Sequence, residues 1–137
     1  MHYRLVVGGT LLLSACAQRY SAPANAQTSS APEEVFDCIR RQMPNLGYKQ
    51  TSIDTDERRI SGTKLDLNSR RPDTQFRRML NRLDIEVAPE ANGQTSIAVQ
   101  ARTFAEYTTQ RGPTEVEEKP SEEVKTASQQ LVNRCRG

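Results

Sequence analysis

Two stretches of the chain repeat their apolar residues at helical spacing. In the first, Val35, Cys38, Ile39 and Met43 share one side, Phe36 widens the stripe, and Asp37, Arg40 and Arg41 take the wet side. Ala31-Pro32-Glu33-Glu34 starts this helix, with a proline in the first turn and two acids near the positive end of the helix dipole. Pro44 and Gly47 stop it. In the second stretch Val124, Ala127, Leu131 and Cys135 step by three or four. Ser121 stands at the cap position, Glu122 and Glu123 follow it, and Arg134 and Arg136 close the segment.

Between the helices the period shortens. Tyr48–Ile53 and Arg59–Leu65 carry β-branched residues and flank the turn-forming run Asp54-Thr55-Asp56-Glu57-Arg58, so they predict a hairpin. Gly62 weakens the second strand or marks a bulge. Asp66–Thr74 reads as a loop. Residues 74–82 are ambiguous: Phe76, Met79, Leu80 and Leu83 fit a helix, whereas Leu83, Ile85 and Val87 alternate with polar residues or Ala as a strand does. A strand is expected from about Leu83. Asn92-Gly93 offers a tight turn, because both residues accept positive φ. Thr95, Ile97, Val99, Ala101 and Thr103 then share one face of a long strand. Thr108–Pro120, with Gly112, Pro113 and Pro120, reads as a mobile loop. The expected fold is α+β, a two-layer sandwich in the order α-β-β-β-β-α. A four-stranded, mainly antiparallel sheet is covered on one face by the N- and C-terminal helices.

Ahead of this domain the pattern changes. Met1–Arg4 is a short start with one firm positive charge, Leu5–Leu13 is uncharged and mostly apolar, and Leu13-Ser14-Ala15-Cys16 closes the run. That order is the layout of a secretory signal. Nine residues span about 14 Å as a helix, half a bilayer core, which is too short for a transmembrane anchor. Leu13-Ser14-Ala15-Cys16 resembles the lipobox of bacterial lipoproteins. The resemblance implies a signal peptide over residues 1–15, cleavage before Cys16, and a covalent lipid, palmitate among its chains, on the Cys16 residue. Ala17 after the cysteine fits sorting to the outer membrane, with the domain facing the periplasm. Residues 16–30, rich in Ala, Ser, Gln and Pro, are then expected to be a flexible tether, and residues 31–137 a single domain.

With Cys16 assigned to the lipid, Cys38 and Cys135 remain as an even pair in an oxidising compartment, on corresponding stripes of the two helices. A disulfide between them is expected.

Charge changes the picture less. Nineteen Lys and Arg face seventeen Asp and Glu, so there is no general reason to expect nucleic-acid binding. Arginine pairs are nevertheless conspicuous: Arg58-Arg59, Arg70-Arg71 and Arg77-Arg78 with Arg82 beyond, and also Arg40-Arg41. They read either as a basic surface for anionic headgroups or an acidic partner, or as a charged face neutralised by the acid-rich segment Gly112–Glu123. The second reading is preferred, because the pairs are separated along the chain.

The only histidine is His2, inside the expected signal peptide. Histidine-based acid–base, nucleophilic and metal-binding systems are therefore not expected, nor are thiolate sites once the cysteines are spent. Phosphate loops and nucleophile elbows are missing. No enzyme, metal or cofactor is expected beyond the lipid itself. Two functions remain: an accessory lipoprotein binding an envelope protein, or a small-ligand or lipid-binding module with a pocket between helices and sheet. The occupancy of that gap discriminates them.

Overall fold

A computed structural model describes residues 20–137 of the chain. The signal peptide over residues 1–15 and the Cys16 lipidation site lie outside the described residues. Eight elements follow in order: β1 (Ala22–Thr28), α1 (Pro32–Asn45), β2 (Lys49–Asp54), β3 (Arg59–Asp66), β4 (Phe76–Pro89), β5 (Thr95–Thr109), β6 (Gly112–Glu118) and α2 (Glu122–Cys135). The architecture is α+β, with one antiparallel six-stranded sheet and two helices.

The sheet is built on the β4–β5 hairpin. Leu83, Ile85 and Val87 stand opposite Ala101, Val99 and Ile97, and this alternation sends the six side chains to one face, where all are buried. β3 adds Ile60 opposite Ile85, and β2 closes that side of the sheet. The other side of β5 is shared. β1 pairs with its first half, Ala22 opposite Ala101 through Thr28 opposite Thr95, and β6 pairs with its second half, Thr103 opposite Glu118 through Thr109 opposite Gly112.

Three expectations are thereby corrected. The sheet has six strands rather than four, and the order is β-α-β-β-β-β-β-α. The expected tether over residues 16–30 contains β1, because Ala24 and Thr28 reach the core when β5 supplies the hydrogen bonds that so weakly apolar a strand cannot supply alone. The expected mobile loop Thr108–Pro120 contains β6. Gln110-Arg111 form its turn, and Gly112 adopts the positive φ of 102° that only a glycine takes cheaply. The ambiguous segment is strand from Phe76 onward.

Both helices lie on the face carrying Leu83 and Val99. Val35, Phe36, Ile39 and Met43 of α1 and Val124, Ala127, Leu131, Val132 and Cys135 of α2 form one cluster with the sheet residues. Cys38 and Cys135 are joined in a disulfide, Cα to Cα 5.6 Å, which fastens the middle of α1 to the end of α2. Gly62 marks a close approach rather than a bulge: a Cβ there would overlap Met43 Cε, and the register shift lies in β2 instead, between Gln50 and Ser52. Asn92 likewise keeps negative φ in the β4–β5 connection, and only Gly93 takes positive φ, 80°. Among the described residues, no helix is long and apolar enough to cross a membrane.

Candidate functional site: the open face of the sheet

The face of the sheet opposite the helices carries the charged chemistry, and strand alternation decides what it presents. Even-numbered residues of β4 and β5 point there: Leu80, Arg82, Asp84 and Glu86 opposite Phe104, Arg102, Gln100 and Ala98. β6 adds Glu117 beside Phe104 and Glu115 beside Glu106. Acids and bases thus fall on neighbouring strands at side-chain reach. Arg102 binds Glu117 through two hydrogen bonds of 3.0 and 2.9 Å and approaches Asp84 at 3.7 Å. Arg82 meets Glu115 at 3.2 Å. Both guanidinium groups also lie over the Phe104 ring, 4.5 Å from its centroid for Arg82 and 5.0 Å for Arg102. Asp84 accepts a 2.6 Å hydrogen bond from the Ser61 hydroxyl. The Arg102 hydrogen bonds hold the Glu117 carboxyl below the usual carboxylate range, and Arg102 itself is pushed up by the same contact.

The remaining acid of β6 is matched on the other side. Glu118 is gripped by Arg71, which also donates 2.8 Å to the Tyr107 hydroxyl and stacks over Phe76 at 5.2 Å. Glu115, Glu117 and Glu118 each face a different arginine as a result.

Seven of the conspicuous arginines, Arg58, Arg59, Arg70, Arg71, Arg77, Arg78 and Arg82, are the candidates for a basic interaction surface, and they do not form a common one. Arg58 sits in the β2–β3 turn at positive φ, 51°, where its Nε donates to the Val87 carbonyl at 3.2 Å and its guanidinium meets Glu33 at the start of α1. Arg59 meets Glu86 at 3.5 Å. Arg70 donates to the carbonyls of Leu67 and Ser69. Arg77 and Arg78 converge on Glu106, at 3.7 and 3.2 Å, because the register shift between Phe76 and Arg78 lets two consecutive residues oppose one. Every member except Arg70 pairs with an acid. The residue at the centre of the open face, Arg102, was not singled out. Its signal in the sequence is the run Gln100, Arg102, Phe104 and Glu106 on one face of β5, set against alternating Glu115 and Glu117 in a segment whose composition reads as a loop.

Two open depressions adjoin on this face. One, about 460 Å³, is floored by Ser61, Asp84 and Gln100 beside β2. The other, about 600 Å³, is lined by Ser21, Pro23, Asp84, Gln100, Arg102 and Glu117. The gap between helices and sheet is filled instead, by Ile39, Met43, Tyr48, Leu83, Ile97 and Leu131, all almost fully buried. Among the described residues, no cluster of three His, Cys, Asp or Glu is placed to hold a metal. With its carboxylates bound to arginine or serine, the open face suits polar recognition better than proton transfer.

Comparison with known proteins adds little. No protein-family profile matches the chain, and no curated protein matches it. Among solved structures it is similar to a DUF4468 family protein from Bacteroides ovatus, at 12% sequence identity and a TM-score of 0.37. That match covers 72% of this chain and 61% of the other, so this chain spans less than two thirds of its neighbour's length.

Proposed function

We propose that this protein is a non-catalytic accessory lipoprotein of the bacterial cell envelope. It is held on a membrane by lipid on Cys16 and binds an envelope protein on the open face of its sheet. The observation that carries the reading is the division of labour between the two faces. One face is spent on the helices, with its gap filled by large side chains, while the other displays ordered ion pairs around Arg102 and Phe104. Arginine held over an aromatic ring, with its charge already matched, contributes specific contact at low entropic cost. The filled gap speaks for this reading over a small-ligand pocket between helices and sheet, which needs unfilled space there.

A photo-crosslinking amino acid at Gln100, on the open face, should give a discrete adduct in intact cells. The same group at Gln129, exposed on α2, should give none. Adducts from Gln129 and none from Gln100 would overturn the choice of face. Cys16→Ser should move the protein from the membrane to the soluble periplasmic fraction. A membrane-bound C16S protein would overturn the anchor.

A further inference from the structure

We propose that the edge of the sheet formed by β1 and β6 faces the bilayer, with the β2 edge held farthest from it. The proposal rests on the lipid-anchor reading of Cys16 and goes beyond it, since an anchor on a long tether leaves the domain free to take any orientation.

The geometry points to this because β1 takes up most of the chain that a tether would need. Its first residue, Ala22, is paired with Ala101 in the middle of β5. From Cys16 to Ala22 there are six Cα steps, which extend at most to about 20 Å. A tether running from Cys16 to Ser30 would reach about 50 Å. Lipid on Cys16 therefore keeps the start of β1 within about 20 Å of the headgroups.

The start of β1 also has a blocked side. A strand entering the sheet at Ala22 could run back along β5 only by pairing with Thr103 and beyond. β6 already occupies that stretch, with Glu118 opposite Thr103. Tyr20 and Ser21, just ahead of the strand, are not part of the sheet, and Ser21 is found beside Pro23, Arg102 and Glu117 at the rim of the open face. The strand order β1-β5-β4-β3-β2 puts four strand spacings, about 19 Å, between this edge and the other. Turning the β2 edge toward the bilayer would demand that the whole six-residue reach be stretched across the sheet. Placing the β1–β6 edge there demands nothing of it.

The side chains of that edge agree with such a position. β6 carries three acids that would be repelled by an anionic surface, and each is neutralised from within by Arg71, Arg82 or Arg102. The edge approaches the bilayer nearly balanced in charge, so its placement does not rely on headgroup charge. The arrangement stands the sheet on its β1–β6 edge, so the open face, from Arg102 and Phe104 on β5 across to β2, looks sideways into the periplasm, where a protein partner reaches it.

The test uses the full lipidated chain in phosphatidylcholine vesicles containing a small fraction of a gadolinium-chelating lipid. A nitroxide is placed through a non-natural amino acid, leaving the disulfide intact, at Asn25 in β1, Thr114 in β6 or Thr51 in β2, all exposed. Relaxation enhancement should be several-fold greater at Asn25 and Thr114 than at Thr51. A fifteen-residue Gly/Ser insertion between Gln18 and Arg19 should bring the three positions level. Equal enhancement without the insertion, or a stronger effect at Thr51, overturns the orientation, and a gradient that survives the insertion overturns the tether argument. Flotation and the intact mass of the N-terminus are read on the same sample. A chain that carries no lipid and does not float overturns the anchor and the orientation together, whereas a lipidated, floating chain with no gradient overturns the orientation alone.

Discussion

Single residues of this protein carry opposite kinds of polar burial. Asn81 and Thr103 are buried on the helix side of the sheet and satisfied: Asn81 Oδ1 accepts from the Thr103 and Ser121 hydroxyls at 2.8 and 2.9 Å, and Thr103 Oγ1 accepts from the Ser121 amide at 2.9 Å. Ser121 Oγ also accepts from the Val124 amide, so one residue caps α2 and pins its start to the sheet. Ser121→Ala removes the two hydrogen bonds of the side chain, to Val124 and Asn81, while keeping the amide bond to Thr103, and should cost about 1–2 kcal/mol in urea unfolding. Tyr48 is the converse. Its ring is buried, its hydroxyl meets no hydrogen-bond partner among the described residues, and burial, with Glu123 nearby, pushes its ionisation well above the ordinary range. Tyr48→Phe keeps the packing and removes the unpaired group. Stability should be unchanged or raised by up to about 1 kcal/mol, the opposite sign from Ser121→Ala in the same assay. The Arg102–Glu117 pair adds a pH dependence. Glu117 is held below its ordinary value, so its stabilisation is complete above the usual carboxylate range and is lost as pH falls through the depressed value. Arg102→Gln should cost about 0.5–1 kcal/mol at neutral pH and move the acid-unfolding midpoint, followed by circular dichroism, to higher pH.

Among the elements, those with their own apolar pattern were legible in the sequence and those borrowing a neighbour's were not. α1 and α2 show complete stripes, α1 with a first-turn proline and acids and α2 with its Ser121 cap, and the β4–β5 hairpin shows alternation on both arms. β1 offers Ala22, Ala24 and Ala26 with Asn, Gln and Pro between them, and β6 offers Pro113, Thr114 and Val116 among glutamates. Neither could bury enough surface to hold a strand by itself. Each exists because β5 extends fifteen residues and presents an edge long enough for two partners end to end. The helical spacing of Phe76, Met79, Leu80 and Leu83 had a different origin. Leu80 packs on the open face near Phe104 while Met79 and Leu83 point to the helix side, so apolar residues sit on both faces and the period of two is lost. For the same reason the charged open face was only half visible: its arginines stood in the chain, but their partners lay in the strand that could not be read. Amide hydrogen exchange checks β1 directly. The β1 amides that bond to β5 should be protected far beyond a flexible segment, and exchange at random-coil rates would contradict the register.

At the scale of the whole molecule, the disulfide and β5 hold together parts of the chain that are far apart in sequence. Cys38 and Cys135 are 97 residues apart, and closing so long a loop stabilises by about 4–5 kcal/mol in the chain-entropy picture. Replacing both by serine should lower unfolding stability by a large share of what a domain this size possesses, and reductant should reproduce the loss in the unmodified protein but not in the double variant. β5 acts differently, through the order in which its partners arrive. β4 reaches it across a short connection, and β6 follows it after a two-residue turn, but β1 must wait until some seventy residues have been added behind it. Loop closure over that distance is slow, so in pulse-labelled refolding the β1 amides should become protected after those of β4 and β5. On the proposed anchor, the newly exported chain begins with slack between membrane and domain. The docking of its oldest strand against one of its youngest then draws the domain in, and folding itself sets the final distance from the bilayer.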